Sequence, residues 1–271
     1  MSEKKVVEQE DVEMTFGEHL DELRKVLIHI AVAFLVLFTV LFIFFKGDIL
    51  DLVFYPSQSD FISNRLMAKL ASLTGVEALR INTEQVQIYN VKMAGQFMLH
   101  IKASAVGALV IGFPYIIGQL WGFIKPALGK EIKKRSRRIV WKIVFWFFFG
   151  VGFSYFIIAP LGINFLVTYE ANGRIDNIID VSSYVSTVMG VCFAGGLVFQ
   201  LPLLIRLLAS IGIVNSAWLK KNRKVAVVVL LIISAMITPP DVMSQILIFL
   251  PFYLLYEYGI TIAKKIEKQS E

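Results

Sequence analysis

The residue types that usually carry catalysis are sparse in this sequence. It has three histidines, His19, His29 and His100, and one cysteine, Cys192, and they are not arranged at metal-ligand spacings. Motifs such as H-E-x-x-H, the Walker loop and G-x-S-x-G do not occur in it. We therefore predict no catalytic residues, no metal site, no cofactor and no disulfide framework, and we expect a protein that is not an enzyme.

The remaining candidates for chemistry are charged and polar residues in or beside long apolar segments: Glu22, Arg24, Glu131, Gln200 and Asp241. A carboxylate or a guanidinium at such a place binds a group of opposite charge. An amide inside a membrane span hydrogen-bonds to a neighbouring helix, because polar groups are costly in lipid. Simpler interpretations stay open: Glu131 forms a local ion pair with Lys134 or Arg135, and Gln200 only joins two helices.

Long apolar segments must position these residues. The chain has 271 residues, is 56% hydrophobic and 18% charged, and contains 22 phenylalanines. Soluble domains average about 45–50% apolar and about 25% charged residues. The pattern predicts an all-α polytopic membrane protein with six transmembrane helices. The helices are expected at residues 26–45, 103–124, 139–159, 184–205, 225–237 and 242–263.

The other segments complete a single membrane domain over residues 1–271. Residues 1–12 are expected to be a mobile tail, and residues 13–25 an amphipathic helix that lies at the membrane surface and leads into the first span. Residues 46–96 form a large loop, with a short helix between Pro56 and Leu73 and an extended part near residues 80–91. Glycines at 150–152 and 190–196 are expected to allow close helix packing.

The fifth apolar segment is short. Its 13 residues would extend about 20 Å, less than the hydrocarbon thickness of about 30 Å. A re-entrant or buried segment would fit this length. The tight reversal at residues 238–241 instead favours two short, paired spans that thin the bilayer locally.

The distribution of cations predicts the orientation. Of the 27 Lys and Arg residues, nineteen lie in segments on one side of the six-span arrangement and six on the other. The positive-inside rule then places both termini in the cytoplasm. The basic segment at residues 130–138 has a second interpretation as a nucleic-acid site, but cations retained on the cytoplasmic side and touching anionic lipid explain it, so we expect no nucleic-acid partner.

Three motifs, in register with these spans, resemble the TatC family, the large polytopic subunit of the twin-arginine protein translocase. H-L-x-E-L-R runs from His19 to Arg24, and P-x4-Q-x-W-x-F-x2-P-x-L-x2-E runs from Pro114 to Glu131. T-P-P-D-x3-Q begins at Thr238. Each motif alone is moderately specific, whereas the three in this order cover most of the chain.

The resemblance implies a receptor in the cytoplasmic (inner) membrane of a bacterium, with its six helices in a concave arrangement. Such a protein binds signal peptides with paired arginines and works in an oligomeric assembly with TatA- and TatB-type single-span proteins. The proton-motive force then drives the export of folded proteins. The signal-peptide site carried over by motif consists of His19, Leu20, Glu22, Arg24, Phe123, Pro126 and Glu131. Contact with partner helices is expected at Gln200, Pro202, Val228, Thr238, Pro239, Pro240, Asp241 and Gln245.

The sequence departs from the family pattern in three places. Gln200 stands where the family commonly has a glutamate, which favours hydrogen bonding over proton carriage at that position. Val26 stands where a basic residue is often found, and the helix expected within residues 56–73 has no assigned role. The rival functions are a secondary transporter of a small solute, for which we see no internal repeat, and a membrane-embedded enzyme.

Overall fold

Helices dominate the computed structural model, which describes residues 16–76, 80–82, 86–125, 130–168, 178–237 and 242–270. The predicted tail at residues 1–12 lies outside these ranges. The helices are α1 Phe16–Phe44, α2 Lys46–Phe54, α3 Ile62–Thr74, α4 Gly95–Ile124, α5 Lys130–Phe153, α6 Ala159–Thr168, α7 Val181–Val198, α8 Leu201–Ser210, α9 Ser216–Lys221, α10 Arg223–Ile237 and α11 Val242–Ser270. A π-helical segment, Ser154–Ile158, joins α5 to α6, and a 3-10 turn, Tyr55–Ser57, follows α2.

Four helical segments in the described ranges are long and apolar enough to cross a membrane: residues 19–44, 95–124, 137–168 and 181–210. Their surfaces are apolar as well. Leu35 and Val36 on α1, for example, are 58% and 57% exposed. Helices suit this setting because every backbone polar group between their ends is satisfied within the segment. The fold is thus the all-α membrane fold that the sequence predicts.

The helix boundaries differ from the predicted spans. The helix predicted at residues 103–124 begins at Gly95, and the one predicted at 139–159 runs from Lys130 to Thr168. The segment at 184–205 is divided, because α7 ends at Val198 and α8 starts at Leu201. Helical hydrogen bonding continues through polar residues, so apolar content alone underestimates helix length.

The first span has no separate helix in front of it. Residues 16–25 continue directly into the apolar segment as one 29-residue helix, α1. The amphipathic helix predicted at residues 13–25 is thus, over the described residues 16–25, the first part of α1. The physical reason is local, since this stretch contains no proline and no glycine after Gly17 that would break the helix.

Helices α5 and α7 cross at very short range. A Cβ atom added at Gly150 would lie 2.7 Å from the carbonyl oxygen of Gly195, and one at Gly196 would lie 2.7 Å from the ring of Phe147. Phe147 is fully buried at this crossing. The expectation of close packing at glycines is therefore met at Gly150, Gly195 and Gly196, whereas Gly152 and Gly190 have nothing within 4 Å of the equivalent position.

The loop at residues 46–96 is held against the long helices. The Tyr184 hydroxyl donates to the carbonyl of Val53 at 3.1 Å, and the Tyr155 hydroxyl donates to the carbonyl of Leu52 at 2.7 Å. The expected short helix is α3. The extended part contains strand β1, Ile88–Tyr89, which pairs in parallel with strand β2, Ile179–Asp180.

Polar contacts fasten α9 to α11. Both the amide and the hydroxyl of Ser216 donate to the carboxylate of Glu267, the hydroxyl at 2.5 Å. The Tyr256 hydroxyl donates to the carbonyl of Leu219 at 2.8 Å. Because the hydrogen bonds from Ser216 favour the charged form, the pKa of Glu267 lies below its ordinary value.

The α5–α7 crossing yields a stability prediction. Gly150→Ala should lower the free energy of unfolding by about 1–3 kcal/mol, because its methyl group would overlap a backbone carbonyl that cannot rotate away. Gly152→Ala is the matched control, and it should be neutral or stabilise by up to about 1 kcal/mol. Thermal unfolding in detergent measures both, and equal midpoints for the two variants would contradict the packing.

The Ser216–Glu267 contact predicts a pH dependence. A carboxyl whose pKa is depressed in the folded state contributes stability above its unfolded pKa, and this contribution disappears as pH falls through the folded pKa. Between about pH 6 and pH 3, the thermal midpoint of the parent protein should therefore fall further than that of Glu267→Gln. Parallel curves for the two proteins would show that the contact adds no pH-dependent stability.

Candidate functional site

The start of α1 packs against the end of α4. The His19 and Phe123 rings are stacked, with centroids 4.3 Å apart and planes inclined by 20°. His19, Glu22, Leu23 and Val26 recur at helical spacing and share one face of α1. Val26 is only 8% exposed. That burial explains why an apolar residue fits at a position where the family often has a basic one.

Glu22 is the chemically unusual member of this face. Its Oε2 atom is buried and has no hydrogen-bond partner among the residues that the structure describes. A buried carboxylate oxygen without a donor costs free energy, and more for a charged group than for a neutral one. The arrangement therefore leaves Glu22 able to accept a hydrogen bond from an additional donor at the α1–α4 junction.

Leu20 and Arg24 lie on the adjoining face of α1. With Leu23, Leu27, Ile28 and Ala31 they line a shallow, mainly apolar groove. Leu20, Leu27 and Ile28 are each about half exposed, at 50%, 53% and 50%. We call these six residues the α1 groove. Sequence reasoning assigned Leu20 and Arg24 of this groove to the site. It did not assign the other four residues, although the spacing of the leucines was the signal for them.

The rest of the predicted signal-peptide site is described only in part. Pro126 lies outside the described residues. Glu131 lies in the first turn of α5, where the helix dipole favours a negative charge, but its side chain lies outside the description. Because only five residues separate Ile124 from Lys130, the end of α4 and the start of α5 lie at the same end of the molecule. The structure thus brings His19, Glu22 and Phe123 together and places the start of α5 on the same side.

Gln200 joins two long helices at the break between α7 and α8. Its side-chain amide donates to the carbonyl of Ile143 on α5 at 3.2 Å and to that of Gly196 at 3.4 Å. Its Oε1 atom is buried and has no hydrogen-bond partner within the described ranges. The amide therefore bonds between helices, as the simpler interpretation expects, and keeps one free acceptor.

The residues predicted to contact partner helices do not form one surface. Pro202 is among the fully buried side chains, with less than 2% exposure. It is the second residue of α8, where a proline fits the start of a helix. Pro202 is thus buried within this chain, and its contact with a partner helix stays a prediction. Four further residues of the set lie outside the described ranges: Thr238, Pro239, Pro240 and Asp241.

Among the residues predicted to contact partner helices, Val228 on helix α10 is exposed. Val225, Val228, Val229 and Ile232 recur at helical spacing and are 47–60% exposed. Gln245 is not part of this stripe, because its side-chain amide donates to the carbonyl of Leu231 at 3.1 Å and so holds α11 against α10. Val228 thus remains accessible, whereas Gln245 has a structural contact.

The carboxylate of Glu257 on α11 makes two polar contacts. It accepts from Arg223 at 2.7 Å and from the Tyr253 hydroxyl at 2.9 Å. The ion pair joins α10 to α11, so the carboxylate of Glu257 has a structural contact. In the described part of the chain, His, Cys, Asp and Glu form no group of three that could hold a metal ion.

The comparisons with known proteins agree on one family. A family model described as Sec-independent protein translocase protein (TatC) matches residues 18–251. The Sec-independent protein translocase protein TatC of Blattabacterium sp. subsp. Periplaneta americana is 36% identical, over 97% of this chain and 100% of that protein. The TatC protein of Helicobacter pylori strain 26695 is 35% identical, over 92% of this chain and 87% of its own length.

Solved structures agree with the sequence relatives. A crystal structure of the twin-arginine translocase receptor TatC in the detergent DDM superposes with a TM-score of 0.71 at 27% identity, covering 90% of this chain and 99% of that one. A second crystal structure of the same receptor gives a TM-score of 0.65, covering 92% of this chain and 99% of that one. The resemblance inferred from three motifs is confirmed: the chain belongs to the TatC family, and it is a protein translocase component rather than an enzyme.

Proposed function

We propose that this protein is the subunit of the translocase that binds twin-arginine signal peptides, at the junction of α1 and α4. The observation that carries the proposal is the buried, unpartnered Oε2 atom of Glu22 beside the stacked rings of His19 and Phe123. Together with TatA- and TatB-type single-span proteins, in an oligomeric assembly, the protein would support export of folded proteins driven by the proton-motive force.

Arginine suits this site better than lysine. A guanidinium is always charged and presents a planar fork that a carboxylate accepts through two parallel hydrogen bonds. Glu22 and Glu131 would each receive one arginine of the pair, with Glu131 placed by the start of α5. The cations between residues 125 and 138 would repel other basic peptides, so only a peptide that satisfies both acids would bind well.

The α1 groove supports the same proposal. A secretory signal peptide carries an apolar segment of about 7–15 residues after its basic region. Leu20, Leu23, Leu27 and Ile28 offer an apolar surface next to Glu22, and Arg24 borders it. In this arrangement the arginine pair binds at the acids while the apolar segment lies along α1 toward the membrane.

The positive-inside rule supports the orientation that this function needs. Both termini would lie in the cytoplasm, with α10 and α11 as the fifth and sixth spans in the inner membrane of a bacterium. The 15 residues of α10 extend about 22 Å, which is shorter than the hydrocarbon core. The short span α10 would therefore thin the bilayer locally, whereas α11, with 29 residues, is long enough to cross it.

A partner's single span would bind near α10. The exposed stripe around Val228 has the size and polarity to pack against another apolar helix. The free Oε1 atom of Gln200 would accept a hydrogen bond from a polar residue of a partner span. This role needs no ionisation, which fits a glutamine at a position where the family commonly has glutamate.

The signal-peptide site is tested at its acids. Glu22→Gln or Glu131→Gln should abolish export of a folded twin-arginine reporter while membrane insertion is unchanged. Loss of a charge-assisted hydrogen bond costs about 1.5–3 kcal/mol, so binding of a twin-arginine peptide should weaken about 10- to 100-fold. Peptide affinity for the purified protein and the amount of exported reporter are the measurements.

Asp21→Asn is the matched control for these variants. Asp21 is exposed and lies on a different face of α1 from Glu22, so its neutralisation should leave peptide binding and export near the parent level. Normal export by both glutamine variants, or an equal defect in Asp21→Asn, would overturn the site assignment.

The partner surface is tested by photo-crosslinking. A photoreactive amino acid in place of Val228, which is 55% exposed, should give an adduct with a TatA- or TatB-type protein in native membranes. The same residue in place of Leu230, which is 2% exposed on the same helix, should give only background. Absence of an adduct at Val228, or equal yields at both positions, would argue against α10 as the contact.

A further inference from the structure

Helix α3 exposes its apolar face, whereas a helix on the surface of a soluble protein usually buries that face. Ile62, Leu66, Leu70 and Leu73 recur at helical spacing and are exposed by 56%, 57%, 40% and 77%. We call these four residues the α3 stripe. The opposite face of the helix is buried and includes a polar side chain, since Asn64 is 2% exposed and Ala71 is fully buried.

An amide network fixes this orientation. The Asn64 side chain donates to the carbonyl of Gln58 at 2.8 Å, and Asn82 donates to Asn64 Oδ1 at 3.4 Å. Asn82 also donates to the carbonyl of Pro160 at 3.0 Å, and its backbone amide donates to Asn164 Oδ1 at 3.0 Å. Rotating α3 to bury its leucines would break the hydrogen bonds that join Asn64 to Gln58 and Asn82, so the stripe points outward.

The surroundings of α3 show what lies outside it. Phe61, immediately before α3, is fully buried and stacks on Phe156 with centroids 5.7 Å apart. Phe156 belongs to the membrane-spanning segment at residues 137–168 and is 40% exposed. An exposed aromatic side chain on a membrane span faces lipid, so the start of α3 lies beside the lipid-facing surface of this span.

The length and charge of α3 suit a helix that lies in the plane of the membrane. The 13 residues of α3 extend about 20 Å, too short to cross the hydrocarbon core of about 30 Å. The helix contains no acidic residue, and its two cations, Arg65 and Lys69, are exposed beside the stripe. A helix that lies at a lipid surface typically carries cations next to its apolar face, where they contact the headgroup phosphates.

We propose that α3 is an interfacial helix that inserts the α3 stripe into the lipid at the membrane face opposite Phe16, with Arg65 and Lys69 at the headgroup phosphates. It anchors the loop at residues 46–96 to the bilayer and gives a role to the helix that the sequence left unassigned. The proposal does not rest on signal-peptide binding. A second copy of the chain would suit the same surface less well, because the stripe is narrow and two cationic edges would meet.

Collision accessibility of spin labels tests the proposal. Single cysteines at Leu66, Leu70 and Leu73, in a Cys192→Ser background, would be spin-labelled in the full-length protein. The protein would be reconstituted into vesicles of equimolar phosphatidylcholine and phosphatidylglycerol. Labels at all three positions should be reached better by oxygen, which partitions into lipid, than by a water-soluble nickel chelate.

Ser72 is the matched control, because it is exposed, neighbours Leu73 in the sequence and lies outside the stripe. A label at Ser72 should show the opposite preference, for the nickel chelate. A preference for the chelate at all four positions would overturn the proposal, because the helix would then lie in water. Exclusion of both reagents from the leucine positions, with dipolar broadening between labels, would also overturn it and show that a second copy covers the stripe.

A separate measurement shows whether the labelled variants are folded. Labels at exposed positions should leave the thermal midpoint in detergent at the parent value, since none of these side chains contributes to the buried face. Leu66→Ser/Leu70→Ser should retain that midpoint in detergent but lose the oxygen preference of a label at Leu73. An unchanged oxygen preference in this double variant would contradict anchoring by the stripe.

Discussion

Hydrocarbon cannot form hydrogen bonds, and the organisation of this protein follows from that constraint. Helices satisfy their own backbone, so polar side chains between them must find partners in neighbouring elements. The Gln200 amide bonds to Ile143 on α5, the Tyr184 hydroxyl to Val53 in the loop, and Arg223 to Glu257 on α11. These few contacts, with the glycine crossing of α5 and α7, define how the helices are placed.

Buried polar atoms that have no hydrogen-bond partner are informative for the same reason. Where nearly every buried polar group has a partner, a buried acceptor without one marks a place that accepts something else. Glu22 Oε2 and Gln200 Oε1 are two of the seven buried side-chain atoms without a partner among the described residues. One lies at the α1–α4 junction and the other inside the membrane-spanning region. They coincide with the two kinds of contact proposed for this translocase component, a charged peptide and the span of a partner.

The outer surface of the protein reflects the same constraint, because it faces hydrocarbon. Side chains that face lipid gain nothing from being polar, so α1, α10 and α3 present leucine, isoleucine and valine outward. On α1 the apolar groove adjoins an acid, and on α10 the stripe belongs to a helix of only 15 residues. On α3 the stripe is bordered by cations. Leucine, isoleucine and valine side chains on these three helices are therefore proposed to make three different contacts, with a signal peptide at α1, a partner span at α10 and lipid at α3.

The sequence alone determined the family and the helical membrane fold, because apolar length and motif spacing are local properties of the chain, and it singled out Glu22 as a candidate. It also indicated a helix within residues 56–73. Only the tertiary structure decided that α1 is continuous, that Pro202 is buried, that Gln245 holds α10, and that α3 turns its leucines outward. The reason is that periodicity shows which residues share a face, whereas the direction of that face depends on contacts such as Asn64–Asn82 and His19–Phe123 between distant segments.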